Sequence, residues 1–300
     1  MKHLFASAIA ACITAFPAYA AIDQKAFKAV GDKPNIALDP AKSYLIVQTS
    51  SDASYSFPIT LIRLPDQADI DDYRQRRAAA LKKAHEKWVT RHATWKTDVA
   101  NWEHLSKEAR SGLQRPAEPV EPTDLNLAFP ALDQENMVTI GPFNRFARGN
   151  GRSTFLHTVL PGRYAFYGAV NLLNGGATGA CMCMGSIQFE VKAGQIVYAG
   201  VMGISVLKER AKAKAEGKEP IRNEMDLPES LNSMGWEAPA AGAYIDPRLA
   251  SYPIVPADLH ATGRFPNYFG ITIDRLTPIP GVLAYDGDKP VDLKAPSTSK

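Results

Sequence analysis

Cysteine is scarce. The 300-residue chain has three, and one of them, Cys12, lies in an N-terminal segment laid out like an export signal. The other two, Cys181 and Cys183, are too few to staple a fold of this length, so packing must hold the core. After the first twenty residues no apolar run approaches the ~20 residues a membrane-spanning helix needs. Charge of one sign is lacking too: a formal net charge of +3 leaves no electrostatic footprint for nucleic acid. Hydrolase motifs are missing, with neither a Gly-x-Ser-x-Gly elbow nor a His-Glu-x-x-His pair. Gly149-Asn150-Gly151-Arg152 lacks the lysine and the strand-to-helix setting of a phosphate loop. What is present is 45% apolar and 22% charged residues, the composition of a folded globular protein.

The start of the chain carries an address. Lys2 and His3 precede an apolar run from Leu4 to Phe16, and Ala18-Tyr19-Ala20 stands before Ala21 as a small-residue cleavage site. Residues 1–20 read as a signal peptide and the mature protein as periplasmic. The alternative takes Ile9-Ala10-Ala11-Cys12 as a lipoprotein box, with the protein lipid-anchored through Cys12.

Texture divides the remainder. Residues 21–68 hold Ser43 to Thr49 and Phe57 to Leu64, β-branched and apolar runs separated by turn formers, expected as a strand pair. Residues 69–115 change completely, with no proline, one glycine and much Ala, Lys, Arg and Glu, and Asp69, Asp71 and Asp72 suit the start of a helix. An unbroken helix would reach ~65 Å, so the segment is an inserted arm or a helical hairpin. Proline at 116, 119 and 122 ends it in extended chain. Residues 116–205 return to strand texture. Ser153 to Leu160 and Arg163 to Val170 flank Pro161-Gly162, and Gly185 to Lys192 and Gln195 to Tyr198 flank Ala193-Gly194, which predicts an antiparallel meander. Met137 to Ile140 offers an edge strand. Residues 206–300 predict a short basic helix from Val206 to Gly217 and then an irregular Pro-rich wrap, with Phe269 to Ile273 and Gly281 to Tyr285 as its strand candidates. The fold class expected is mainly β with an α insertion, an antiparallel β-sandwich plus a long helical arm.

Leu160-Pro161-Gly162-Arg163-Tyr164, then Cys181-Met182-Cys183-Met184-Gly185 and Phe189 to Gly194, resemble the β-sandwich domains of uncharacterised Gram-negative envelope proteins with a transthyretin-like or prealbumin-like core. The resemblance spans roughly Ser43 to Leu64 and Phe129 to Met202 and implies a fold without an activity to transfer.

Two features stand out as candidate sites. Cys181, Met182, Cys183 and Met184 are four consecutive sulfur side chains, with Met202 within reach on a following strand. Soft donors suit Cu(I), yet alternation on a strand sends the cysteines to one face and the methionines to the other. A Cys181–Cys183 disulfide, buried free thiols and a copper site are the three readings. His157 and His260 read as ordinary histidines, and Asp286-Gly287-Asp288 as a solvated turn. The second feature is a stripe: Leu81, Trp88, Trp95 and Trp102 recur every seven residues, with His85, His92 and Val99 between them. It either packs against the protein itself or forms a surface for self-association or for another envelope protein. His85 and His92 are too far apart on one helix to share a metal. The arm carries 11 basic against 7 acidic residues between Asp69 and Arg115, a solvated face. These features predict a non-enzymatic structural or protein-interaction module of the cell envelope without a cofactor; the alternative is a copper-binding or thiol redox protein acting through Cys181 and Cys183.

Overall fold

The structure, a computed structural model, describes residues 27–50, 58–173, 176–204, 217, 234–240 and 242–295. The export segment with Cys12, and nearly all of the helix expected from Val206 to Gly217, lie outside the described residues. The chain divides into two compact units, Gln67–Glu135 and the flanking Ala21–Asp66 with Asn136–Lys300.

The flanking unit is built of strands. In chain order they are β1 (Lys28–Ala29), β2 (Ser43–Ser50), β3 (Ile59–Leu64), β4 (Met137–Ile140), β5 (Ala147–Gly149), β6 (Arg152–Val159), β7 (Gly162–Leu173), β8 (Gly176–Val191), β9 (Ile196–Ile204), β10 (Met234–Glu237), β11 (Ile254–Pro256), β12 (His260–Thr262), β13 (Thr272–Arg275), β14 (Leu283–Asp286) and β15 (Lys289–Asp292). One sheet runs β1-β6-β2-β9-β10, with β5 on β6 and β11 on β9; the other runs β12-β8-β7-β3-β4, with β13 on β8; β14 and β15 form a separate hairpin. Leu45, Val47 and Phe155 of the first sheet share one buried cluster with Leu61, Phe166, Ile187 and Phe189 of the second. The arrangement is mainly β, sandwich-like and mostly antiparallel, while β2–β9, β11–β9 and β13–β8 pair in parallel.

The expected pairings need correction. β2 and β3 lie in different sheets, and so do β6 and β7, and β8 and β9. Pro161-Gly162 and Ala193-Gly194 are therefore corners that carry the chain across the core, not hairpin turns, and the meander does not form. The physical reason is that alternation marks which residues face the core and leaves open which sheet a strand joins, because inward residues of both sheets meet in one layer. A true hairpin occurs between β5 and β6, where Asn150 and Gly151 both have positive φ, 48° and 68°, the type I′ geometry that an Asn-Gly pair favours.

The Gly-rich stretch before the cysteines is ordered strand. β8 starts at Gly176 and pairs with β7. A Cβ at Gly179 would stand 2.0 Å from the Ala169 carbonyl oxygen, and one at Gly168 2.1 Å from that of Ala180. These glycines permit close backbone approach rather than motion.

The C-terminal residues cover both outer sheet faces. Ala243, Ile245, Tyr252 and Ile254 pack over Tyr44, Ile46, Leu156 and Tyr198, while Phe265, Tyr268, Phe269 and Ile271 pack over Tyr167, Cys181 and Cys183. Strands β10 to β13 extend the sheets, and of the two C-terminal strand candidates the structure forms Thr272–Arg275 and Leu283–Asp286. Met137–Ile140 is the edge strand expected of it.

His157 lies on the core-facing side of β6 with Phe155 and Val159, opposite Leu45, and is 6% exposed. Its Nε2 has no hydrogen-bond partner among the described residues, and burial pushes its pKa down to about 4. The folded protein holds it neutral, whereas the unfolded chain binds a proton below about 6.5. Stability from this residue is present above about pH 6.5 and is lost as pH falls toward 4, by an amount on the order of 3 kcal/mol. Denaturant melts between pH 7 and pH 4 should show His157→Leu losing less stability over that interval than the parent.

Candidate interaction surface and cysteine site

The inserted unit contains α1 (Gln67–His104), α2 (Lys107–Arg110) and α3 (Leu132–Glu135). At 1.5 Å per residue the 38 residues of α1 extend ~57 Å, so the arm is one helix and not a helical hairpin. None of its residues is fully buried. Ser106 caps α2 by accepting from the Ala109 amide at 3.2 Å. The chain then turns back, and the Pro-rich segment runs antiparallel along the helix as a strap.

The stripe meets this strap. Trp88 Nε1 donates to the Pro119 carbonyl at 2.9 Å and Trp95 Nε1 to the Pro116 carbonyl at 3.1 Å. Seven helical residues advance ~10.5 Å, and three residues of polyproline-type chain ~9.3 Å. A heptad on the helix therefore keeps step with a triplet on the strap. Two side-chain contacts follow the same step, His92 facing Glu118 and His85 facing Glu121, each at 3.3 Å; beyond them, off the heptad, Arg77 pairs with Asp124 and Arg115 with Glu103 at 3.2 Å. Rings fill the gaps, with Trp88 stacked on His92 at 4.8 Å and His92 on Trp95 at 5.2 Å.

Trp102, the third indole, departs from the pattern. Its Nε1 is buried without a partner among the described residues, and the Arg110 guanidinium lies 5.3 Å from its ring centre. At the other end Tyr73 donates to the Pro130 carbonyl at 2.9 Å, and Arg76 grips Glu135 through two nitrogens at 3.0 and 2.7 Å. Glu118, Glu121 and the proline carbonyls were not singled out from the sequence. Pro116-Ala117-Glu118-Pro119-Val120-Glu121-Pro122 repeats every three residues, and that period against the heptad was the available signal.

Cys181 and Cys183 form a disulfide with Cα atoms 5.1 Å apart, shorter than the ~6.6 Å that two residues of regular strand span. A kink in β8 supplies the shortening. Ala165 pairs with Gln188 and Gly168 with Cys181, so Phe166 and Tyr167 of β7 face six residues of β8, Met182 to Ile187. Both cysteines lie beneath Tyr167, Phe265, Tyr268 and Phe269. Met182 points into the opposite, inter-sheet layer, with Met202 in the same layer, and Met184 is 40% exposed. The four consecutive sulfurs therefore do not converge on one point. Among the described residues no group of three or more His, Cys, Asp or Glu could hold a metal ion.

His260 is held between two carboxylates, Nδ1 at 2.8 Å from Asp292 and Nε2 at 3.3 Å from Asp258. The hydrogen bond that its ring donates to the Asp292 carboxylate raises its pKa above the ordinary value. Lys294 completes the cluster at 2.6 Å from Asp258, on the protein surface. Asp286-Gly287-Asp288 forms the turn of the β14–β15 hairpin, with Asp288 near Arg275 at 3.5 Å. No helix among the described residues is long and apolar enough to cross a membrane. No protein family, curated protein or solved structure matches the chain.

Two outcomes follow from this geometry. Trp88→Phe and Trp95→Phe each remove one indole donor to a strap carbonyl and should each lower the unfolding free energy of the helix–strap unit by about 1 kcal/mol in denaturant melts followed by the remaining tryptophan fluorescence. Trp102→Phe loses no such bond and should cost less than either.

Cysteine replacement is expected to act weakly. A ring this short constrains the unfolded chain by about 1.5 kcal/mol, so Cys181→Ala with Cys183→Ala should lower stability by roughly 2 kcal/mol once lost sulfur packing is added. Unfolding should stay cooperative, and the parent chain without residues 1–20, which carry Cys12, should show no thiol to a colorimetric reagent even in denaturant.

Proposed function

We propose that the protein is an exported, non-enzymatic interaction module of a Gram-negative cell envelope, and that the helix–strap unit is its working element. The observation that carries this reading is where the unit sits in the chain. It is inserted between β3 and β4, adjacent antiparallel strands in which Ile62 and Met137 stand opposite one another. A short turn would close that hairpin. The chain instead spends residues 67–135 on an element stabilised by its own indole–carbonyl bonds, ion pairs and ring stacks. An element that adds no fully buried helical residue to a core has a surface as its most economical product. The buried Cys181–Cys183 disulfide enters this reading as a structural cross-link under the aromatic cover, which suits export to an oxidising compartment.

Replacing residues 65–136 by an Asn-Gly turn tests the proposal. The sandwich should remain folded with a melting midpoint within about 5 °C of the parent. The same deletion should abolish self-association in sedimentation and cross-linking to envelope proteins in intact cells. A deletion protein that cannot fold, or one that keeps every association of the parent, would overturn the assignment.

A further inference from the structure

The outer face of the β1-β6-β2-β9-β10 sheet changes character along its strands. Tyr44, Ile46, Leu156 and Ile196 are apolar and covered by the C-terminal wrap. Further along, the same face carries Gln48, Thr154, Tyr198 and Arg152. Gln48, Thr154 and Tyr198 are 0%, 2% and 3% exposed, a costly place for polar groups unless each is bonded. Each is bonded. The Gln48 amide nitrogen donates to Thr154 Oγ1 at 3.1 Å and to the Tyr244 carbonyl at 2.9 Å. Its oxygen accepts from the Tyr198 hydroxyl at 3.0 Å and from Arg152 at 3.4 Å. Arg152 also donates to Glu237 at 2.8 Å. Burial raises the Tyr198 pKa, which keeps the phenol a neutral donor.

Beside Arg152 and Tyr198, the two members of this network that reach it, the wrap leaves a cleft of about 420 Å³. Its roof is made of the smallest side chains, Ala238, Ala240, Gly242 and Ala243. Larger residues here would have filled the space, as they do over the apolar half of the face. A cavity of this size is within the usual range for small-molecule sites.

The lining chemistry selects the class of ligand. Arg152 and Glu237 are its ionisable pair, and they neutralise one another at 2.8 Å. An anion would have to displace Glu237 and a cation would have to displace Arg152. The lining otherwise includes Asn150, Tyr198, Tyr244 and one larger aliphatic residue, Val201. No broad apolar wall is present for a lipid or a flat apolar cofactor. A hydroxyl group, both donor and acceptor, can bridge a guanidinium and a carboxylate without separating them. We infer that this cleft is a binding site for a neutral polyhydroxylated small molecule, a mono- or disaccharide, held by Arg152, Glu237 and Asn150 beside Tyr198. This site is independent of the helix–strap unit.

The test is calorimetric titration of the full chain with glucose, N-acetylglucosamine and maltose, with glucuronate and glucosamine as charged counterparts. At least one neutral sugar should bind with a dissociation constant below about 5 mM, and more tightly than either charged sugar. Glu237→Gln should weaken that binding about tenfold, and Ala240→Leu, which fills the cleft from an exposed loop position, should abolish it. Melting curves of both variants should match the parent; should Ala240→Leu fail to fold, Glu237→Gln alone decides. Absence of neutral-sugar binding, preference for a charged sugar, or affinity unchanged in Glu237→Gln would each overturn the inference.

Discussion

Burial of both faces of each sheet is the constraint on which the sandwich depends. An antiparallel sheet ordinarily packs one face and wets the other, but β6 and β8 are buried through most of their length on both sides. The inner faces meet in a single apolar layer, and the outer faces stay dry through the segments laid over them. The C-terminal third therefore works as a cover. Its prolines suit that work, because extended chain without regular ladders can cross a sheet face and reach the next one. The disulfide follows from the same constraint, since Cys181 and Cys183 face outward from β8 into one of these covers. So does the cleft, which lies where the cover passes over a polar stretch of sheet with only small side chains to offer.

The inserted unit obeys a different rule, a commensurate register between two kinds of chain. A lone helix with three indoles on one stripe would leave large apolar surfaces in water. The strap covers them without a second helix because its carbonyls, left free by proline, point outward for donors to find. Recognition of proline-rich chain by indole N–H groups is a recurring mode in protein interactions, and here it operates within one polypeptide. Acidic residues at every third strap position then meet His92, His85 and Arg77 in turn. Exposed pairs of this kind add little energy. Their value lies in making a one-step slip juxtapose Arg115 with the wrong partner.

Much of this was legible in the sequence, and the failures share a cause. Strand positions, the long helix, the edge strand at Met137–Ile140 and the cysteines' common face all follow from periodicity, which is a local property. Pairing is not local. Inward residues of β6 and β7 alternate alike whether the strands are neighbours or stand across the core, so Pro161-Gly162 looked like a hairpin turn and is a corner. The glycine at 179 answers to another non-local contact, close backbone approach to Ala169. Tryptophan spacing exposed half of the ladder. The other half lay in glutamates that look solvated until the strap is folded back on the helix. Gln48, Tyr198 and Glu237 come from segments separated by up to 189 positions (237 less 48), and nothing local marks them as neighbours.

The insertion also bears on how the β3–β4 pairing survives it. Closing a flexible loop costs entropy that rises with the logarithm of its length, so a 69-residue unit, Gln67–Glu135, would be tolerable even as coil. The unit does better than coil because its own contacts bring its ends together: Tyr73 reaches Pro130 and Arg76 reaches Glu135. Once folded, the helix–strap unit returns the chain close to where it left, and β3 and β4 meet across what is in effect a short connection. The Arg63 amide donating to the Asn136 carbonyl at 2.9 Å closes the base. Helix, strap and ion pairs can thus vary in length or surface chemistry with little consequence for the sheet, provided that the contacts at Tyr73 and Arg76 are kept. Those two residues, rather than the tryptophans, hold the two ends of the inserted unit together.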